Sequence, residues 1–168
     1  MKPSKFKVFI LFALILTVLF APSEANAAAK ANQPKYTFYD GNLKYEITKP
    51  ATKSKAGQVR LTGARDNKID SLTIPETVSD SSYSYTVTEI ATSAFSGYAN
   101  LQSVKFPASL KTIANQAFYG CSSLTELTLP DGVTNIGRSV FFSCSELKKV
   151  HLSKSLTEMG DSVFYGCI

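Results

Sequence analysis

The sequence predicts a solenoid of stacked repeats in the α/β class, with short parallel strands on a concave face and short helical or 3-10 turns on the return. Three observations predict it. Ile90, Ile113, Ile136 and Met159 recur every 23 residues. Phe95, Phe118, Phe141 and Phe164 recur with the same spacing, each after a small or β-branched residue (Ala94, Ala117, Val140, Val163). Leu101, Leu124 and Leu147 open the runs LQSVKF, LTELTL and LKKVHL, which share the pattern L-x-x-[LV]-x-[LF]. A unit this short cannot bury its own apolar face, so neighbouring units must stack to share a core.

Each element of the repeat has a local cause. The last apolar pair of each run (Val104 and Phe106, Leu127 and Leu129, Val150 and Leu152) brackets one polar residue, as a strand with one buried face requires. Pro107 and Pro130 then end the strand because proline has no N–H to give to a ladder, and Ser153 stands there in the last repeat. The chain turns back through Leu110, Val133 or Leu156 and returns through the Phe column. The pattern and its period are those of a leucine-rich repeat, whose units run from about 20 to 29 residues.

The unit running from LTLPDGV through NIG to VFFSCSEL resembles the BspA-like leucine-rich repeats of bacterial and protist surface proteins. The resemblance extends from about Ile69 to the end of the chain. Its departures are Tyr98 in the first position of the cysteine column, Ser153 for proline, and Val140 and Val163 for alanine; all read as packing variants. It implies the repeat fold and adhesion at a cell surface to host or neighbouring-cell molecules.

Upstream, Lys2, Lys5 and Lys7 precede an apolar run from Val8 to Phe20, followed by Pro22 and Ala25-Asn26-Ala27. A basic start, a short apolar segment and an A-x-A site predict a secretory signal peptide over residues 1–27, with cleavage after Ala29 as the alternative. The run is shorter than the roughly 20 residues that span a bilayer, so no transmembrane segment is expected after cleavage. Charge is uneven beyond that point. Residues 28–68 carry nine basic and three acidic side chains, whereas residues 69–168 carry six and nine. The basic segment reads either as a solvated face or as a contact for an anionic polymer.

Residues 28–68 predict a polar leader followed by a β-structured cap. Its strands fall at Tyr36–Tyr39, Leu43–Ile47 and Gln58–Thr62, with Asp40-Gly41-Asn42 as a turn. The repeats occupy residues 69–168. Ile69, Leu72, Ile74 and Pro75 match Leu101, Val104, Phe106 and Pro107 at an offset of 32, which makes the first repeat irregular. Its extra residues lie around Ser79 to Tyr85, where Tyr85 to Val87 is expected to pair as an additional strand. The last repeat stops at Ile168 where another strand is expected, so it reads as incomplete, with an open edge through which copies would self-associate.

Few residues suggest chemistry. Cys121, Cys144 and Cys167 follow the repeat spacing and form one column, read as buried thiols, with a disulfide or a metal site as alternatives. His151, the single histidine, lies between Val150 and Leu152 and so faces solvent. It has no orienting partner or nucleophile in a motif, and no carboxylate pair, phosphate loop or metal-ligand spacing stands out. No enzyme activity, cofactor, metal or nucleic-acid partner is therefore expected.

The exposed strand positions are the candidate ligand-binding surface: Ser71, Thr73, Ser103, Lys105, Glu126, Thr128, Lys149 and His151. Such faces serve solenoids as extended binding surfaces. The expected function is a secreted or cell-surface recognition module for an extracellular protein or glycan. A rigid spacer, or the repeat front end of a larger secreted enzyme, are the alternatives.

Overall fold

The structure, a computed structural model, describes residues 36–167. These residues lie within one compact unit, Lys35–Ile168. The expected signal peptide, the leader and Ile168 lie outside the described residues.

The chain opens with three antiparallel strands, β1 (Thr37–Asp40), β2 (Leu43–Lys49) and β3 (Gly57–Ala64). Gly41 makes the β1–β2 turn with φ 59°, a left-handed value that glycine adopts without a Cβ penalty. Next come β4 (Ser71–Thr73), β5 (Thr77–Ser79) and β6 (Ser84–Ile90). The regular repeats supply β7 (Ser103–Lys105), β8 (Thr112–Ile113), β9 (Glu126–Thr128), β10 (Asn135–Ile136), β11 (Lys149–His151) and β12 (Glu158–Met159).

The spine of the molecule is a sheet of order β1-β2-β3-β6-β8-β10-β12, with β5 antiparallel beside β6. From β3 onward its neighbours are parallel. Ile90 pairs with Ile113, Ile113 with Ile136, and Ile136 with Met159, so the isoleucine column lies in hydrogen-bonded register from repeat to repeat. Tyr85 to Val87, expected to pair as an additional strand, lies within the longer β6, where the N-terminal strands join the repeats.

The L-x-x-L runs behave differently from expectation. Expected as parallel strands on one concave face, they supply strands three residues long that form two separate parallel ladders, β4 with β7 and β9 with β11. Backbone bonds link Gln102 N to Asp70 O at 2.7 Å and Lys148 N to Thr125 O at 3.0 Å. Across the gap between β7 and β9 the equivalent bond, Thr125 N to Gln102 O, lengthens to 3.5 Å. Phe106, the bulkiest residue of its column, follows β7 and sets its ring edge-on to Phe118 of the next repeat, 5.8 Å between centroids. The positions that match it elsewhere hold the smaller Ile74, Leu129 and Leu152.

The return segments are also a correction: they contain turns and no helix of any kind among the described residues. Alternate N–H groups close local turns (Ala94 to Ala91, Ser96 to Ser93, Tyr98 to Phe95). The intervening ones donate to the next repeat (Ser93 to Asn115, Phe95 to Ala117, Gly97 to Tyr119). A helix would keep every one of these donors within its own segment. Left-handed residues recur in the same column as well, at Ser93, Gln116, Ser139 and Ser162, with φ of 55, 58, 53 and 57°. A right-handed helix cannot pass through them.

The core runs between these lines of hydrogen bonds. Phe95, Phe118, Phe141 and Phe164 stack in sequence, with centroids 5.4, 5.6 and 5.6 Å apart and ring planes within 12° of parallel. The departures from the repeat pattern pack as expected. Val140 and Val163 are buried, and the buried Tyr98 sets its ring edge-on to Phe95. Ser153 is buried too, its hydroxyl donating to Val133 O at 2.6 Å. Leu152, expected inside, is 45% exposed, whereas its counterparts Ile74 and Leu129 are buried.

Candidate functional site

The strand register decides which candidate residues meet. Ser71 lies opposite Ser103 and Thr73 opposite Lys105 on the β4–β7 pair. On the β9–β11 pair Glu126 lies opposite Lys149 and Thr128 opposite His151. All eight side chains are exposed, while the residues between them (Leu72, Val104, Leu127, Val150) turn inward and are buried or half-buried. Period-2 alternation alone produces this separation, because successive side chains of a strand leave opposite faces. The split between β7 and β9 divides the candidate surface into two patches that share no continuous ladder.

The two patches differ in charge. In the first, Lys105 has no carboxylate partner among the described residues. In the second, Lys149 Nζ sits 3.5 Å from Glu126 Oε1, and Lys148 Nζ 3.2 Å from Glu146 Oε2. These pairs are solvent-exposed and orient the surface more than they stabilise it. The face offers hydroxyls, an imidazole and charges for hydrogen bonding. No group of three histidine, cysteine or acidic side chains among the described residues is arranged to hold a metal ion.

The cysteine column is free and lies inside: Cys121 and Cys144 are buried and Cys167 half-buried. Each thiol donates to the ladder-phenylalanine carbonyl of the preceding repeat, at 3.3 Å for Cys121 to Phe95 and for Cys144 to Phe118, and 3.2 Å for Cys167 to Phe141. Burial pushes the Cys121 and Cys144 thiols up to about 12, and raises Cys167 as well. Such thiols are poor nucleophiles.

Two features lay outside the expected site. The residue after each ladder phenylalanine forms an outer stack, Tyr119–Phe142–Tyr165, with centroids 5.0 and 4.9 Å apart. Tyr119 and Tyr165 are exposed, and the aromatic pairs at Phe118-Tyr119, Phe141-Phe142 and Phe164-Tyr165 are its signal in the sequence. The second is Arg60 on β3, which bonds Glu46 of β2 at 2.8 Å and approaches Glu89 of β6 at 3.6 Å. The Glu46 bond is the largest cause raising the Arg60 pKa. Arg60 thus ties the N-terminal strands to the first strand of the repeat spine, and only the β2-β3-β6 order brings its two acids together.

Stacked repeats with an apolar ladder inside and an alternating polar strand face outside define a leucine-rich-repeat protein. The chain belongs to the BspA type leucine rich repeat family, which it matches over residues 65–168 in six copies. Among solved structures it is similar to a leucine rich cell surface protein from Faecalibacterium prausnitzii, with TM-score 0.67 and 28% identity over 81% of this chain and 35% of that one. It is also similar to a leucine-rich repeat protein from Bacteroides capillosus, with TM-score 0.64 and 28% identity over 73% of this chain and 86% of that one. The pneumococcal vaccine antigen PcpA shares the fold, with TM-score 0.55 and 19% identity over 79% of this chain and 48% of that one. The chain spans about a third of the length of the Faecalibacterium protein. Among curated protein sequences none matches it.

Proposed function

We propose that this chain is an exported, non-enzymatic recognition module that binds an extracellular protein or glycan through the outward residues of its repeat strands. One observation carries the reading: the eight polar positions Ser71, Thr73, Ser103, Lys105, Glu126, Thr128, Lys149 and His151 are all exposed and stand in register pairs. Residues 1–27 act as the removable export signal and residues 28–68 as leader and cap. Residues 69–168 form the solenoid. The family, and the cell-surface description of the Faecalibacterium protein, support a surface location.

The test is a panel of glycans and extracellular-matrix proteins screened with the wild-type chain and with a Lys105→Gln, Glu126→Gln, Lys149→Gln triple variant. All three positions are exposed, and substitutions there change stability by less than about 0.5 kcal/mol each. The expected result is a wild-type hit that the triple variant binds at least tenfold more weakly at unchanged melting temperature. Equal binding by the two proteins removes the site from the strand face.

A further inference from the structure

We infer a second binding site, distinct from the strand face, for a carboxylated saccharide, in the cleft between the turn at Thr52–Lys55 and the turn at Asp80–Tyr83. The cleft opens to solvent and has a volume of about 580 Å³. It exists because β3 and β6 pair in parallel with Gly57 opposite Tyr85, which brings the segments preceding both strands side by side. A Cβ on Gly57 would collide with the Lys49 carbonyl oxygen and lie 2.6 Å from the Tyr85 ring, so the loop packs directly on that ring.

Both walls are fixed by their own hydrogen bonds. Backbone bonds between Thr52 and Lys55, at 2.9 and 3.3 Å, close the first turn and set Lys53 and Ser54 at its tip. In the second turn Asp80 Oδ1 accepts from the Ser82 and Tyr83 N–H groups, both at 2.7 Å. Asp80 Oδ2 accepts from the Tyr85 hydroxyl at 2.8 Å, and the buried Tyr85 ties the turn to the core. A ligand therefore meets preformed walls and orders little on binding.

The lining states the ligand chemistry. Lys53 and Lys55 are exposed and have no carboxylate partner among the described residues. In the repeats Arg138, Lys148, Lys149 and Lys154 each face an acid and, among the described residues, only Lys105 and Lys111 do not, and neither of those two lines this cleft. Asp80 is the one carboxylate of the cleft, and its oxygens are turned to its own loop, whose donors hold its pKa below the usual range. Ser81, Ser82 and Ser84 add hydroxyls, and Tyr83 adds a ring 38% exposed. A neutral sugar leaves both lysines unmatched, and a bare anion uses neither the ring nor the volume. A uronic-acid-type unit uses all three: carboxylate to the ammoniums, hydroxyls to the serines, and its C–H face to Tyr83. Residues 36–68 carry seven basic and three acidic side chains, an excess that favours an anionic ligand on this part of the protein.

Titration calorimetry of the full chain with oligogalacturonate, a maltooligosaccharide of equal length, and polyphosphate tests the inference. Oligogalacturonate is expected to bind at least tenfold more tightly than the neutral sugar. Lys53→Gln with Lys55→Gln should weaken it tenfold or more and Tyr83→Ala several-fold, whereas Lys111→Gln with Lys154→Gln should leave it within twofold. Absence of oligogalacturonate binding, or an equal loss in the Lys111/Lys154 pair, overturns the site. Polyphosphate binding as tight, with the same lysine dependence and no effect of Tyr83→Ala, overturns the saccharide assignment. The strand-face triple variant should bind oligogalacturonate normally, which separates this test from that of the strand face.

Discussion

The Cys144 thiol donates to the carbonyl of Phe118 at 3.3 Å, a bond that crosses from one repeat to the one before it. The same carbonyl accepts the Cys121 N–H at 3.3 Å, so both of its lone pairs are used. The bond recurs one repeat earlier and one repeat later, and the cysteine column thereby joins neighbouring turns without a disulfide.

This bonding predicts a specific pH response. Burial raises the Cys121 and Cys144 pKa from 9.0 to about 12. Between those values the unfolded chain has released protons that the native chain retains, so stability falls as pH rises. The contribution is complete below about pH 9 and is lost on the way to pH 12. Denaturant midpoints from pH 8 to 11 should drop, and Cys121→Ala with Cys144→Ala should flatten the slope. At pH 8 the folded protein should react with a thiol reagent first at Cys167, and the denatured protein with three equivalents.

The two aromatic stacks should differ in weight. Phe118 is fully buried between Phe95 and Phe141, and its replacement by alanine should cost about 3–5 kcal/mol in urea denaturation. Phe142 of the outer stack is only half-buried, and its truncation should cost well under half as much. Equal losses would make the outer stack part of the core.

Backbone conformation gives a pair of opposite predictions. Ser143, at φ 55°, occupies a column otherwise filled by Gly97, Gly120 and Gly166 at φ 77, 70 and 77°. Ser143→Gly should stabilise the protein by about 0.5–1 kcal/mol. Gly137→Ala should do the reverse, because its Cβ would run into Asn115 Oδ1 and lie 2.6 Å from the Asn115 backbone nitrogen. Overpacking of that kind costs about 1–3 kcal/mol, read as a shift in the urea midpoint at constant slope.

The Glu126–Lys149 pair should be thermodynamically weak. Its side chains are 54 and 57% exposed at 3.5 Å separation. A double-mutant cycle should return a coupling below about 0.5 kcal/mol that shrinks further in 0.5 M salt. A coupling above about 1 kcal/mol would show that the strand face is less hydrated than its exposure indicates.

Much of this protein follows from sequence alone, because the period of the repeat decides what must be inside. The isoleucine, phenylalanine and cysteine columns are buried or partly buried in all regular repeats, apart from Met159 in the last. Strand alternation correctly placed Lys105, Glu126, Lys149 and His151 outside. What the tertiary structure decided is which backbone groups pair. The two-residue strands Thr112–Ile113 and Asn135–Ile136 carry no strand signal of their own, yet they form the continuous spine. The Phe segments read as helical because short apolar runs do not distinguish a local donor from one in the next repeat. Their alternate N–H groups go to that neighbour, and left-handed Ser93, Gln116, Ser139 and Ser162 forbid the helix. The cleft beside Lys53 and Lys55 was equally hidden, since it depends on Gly57 meeting Tyr85 across a sheet. Burial is set by each residue's own polarity and period, whereas hydrogen-bond partners are chosen by chain segments far apart in sequence.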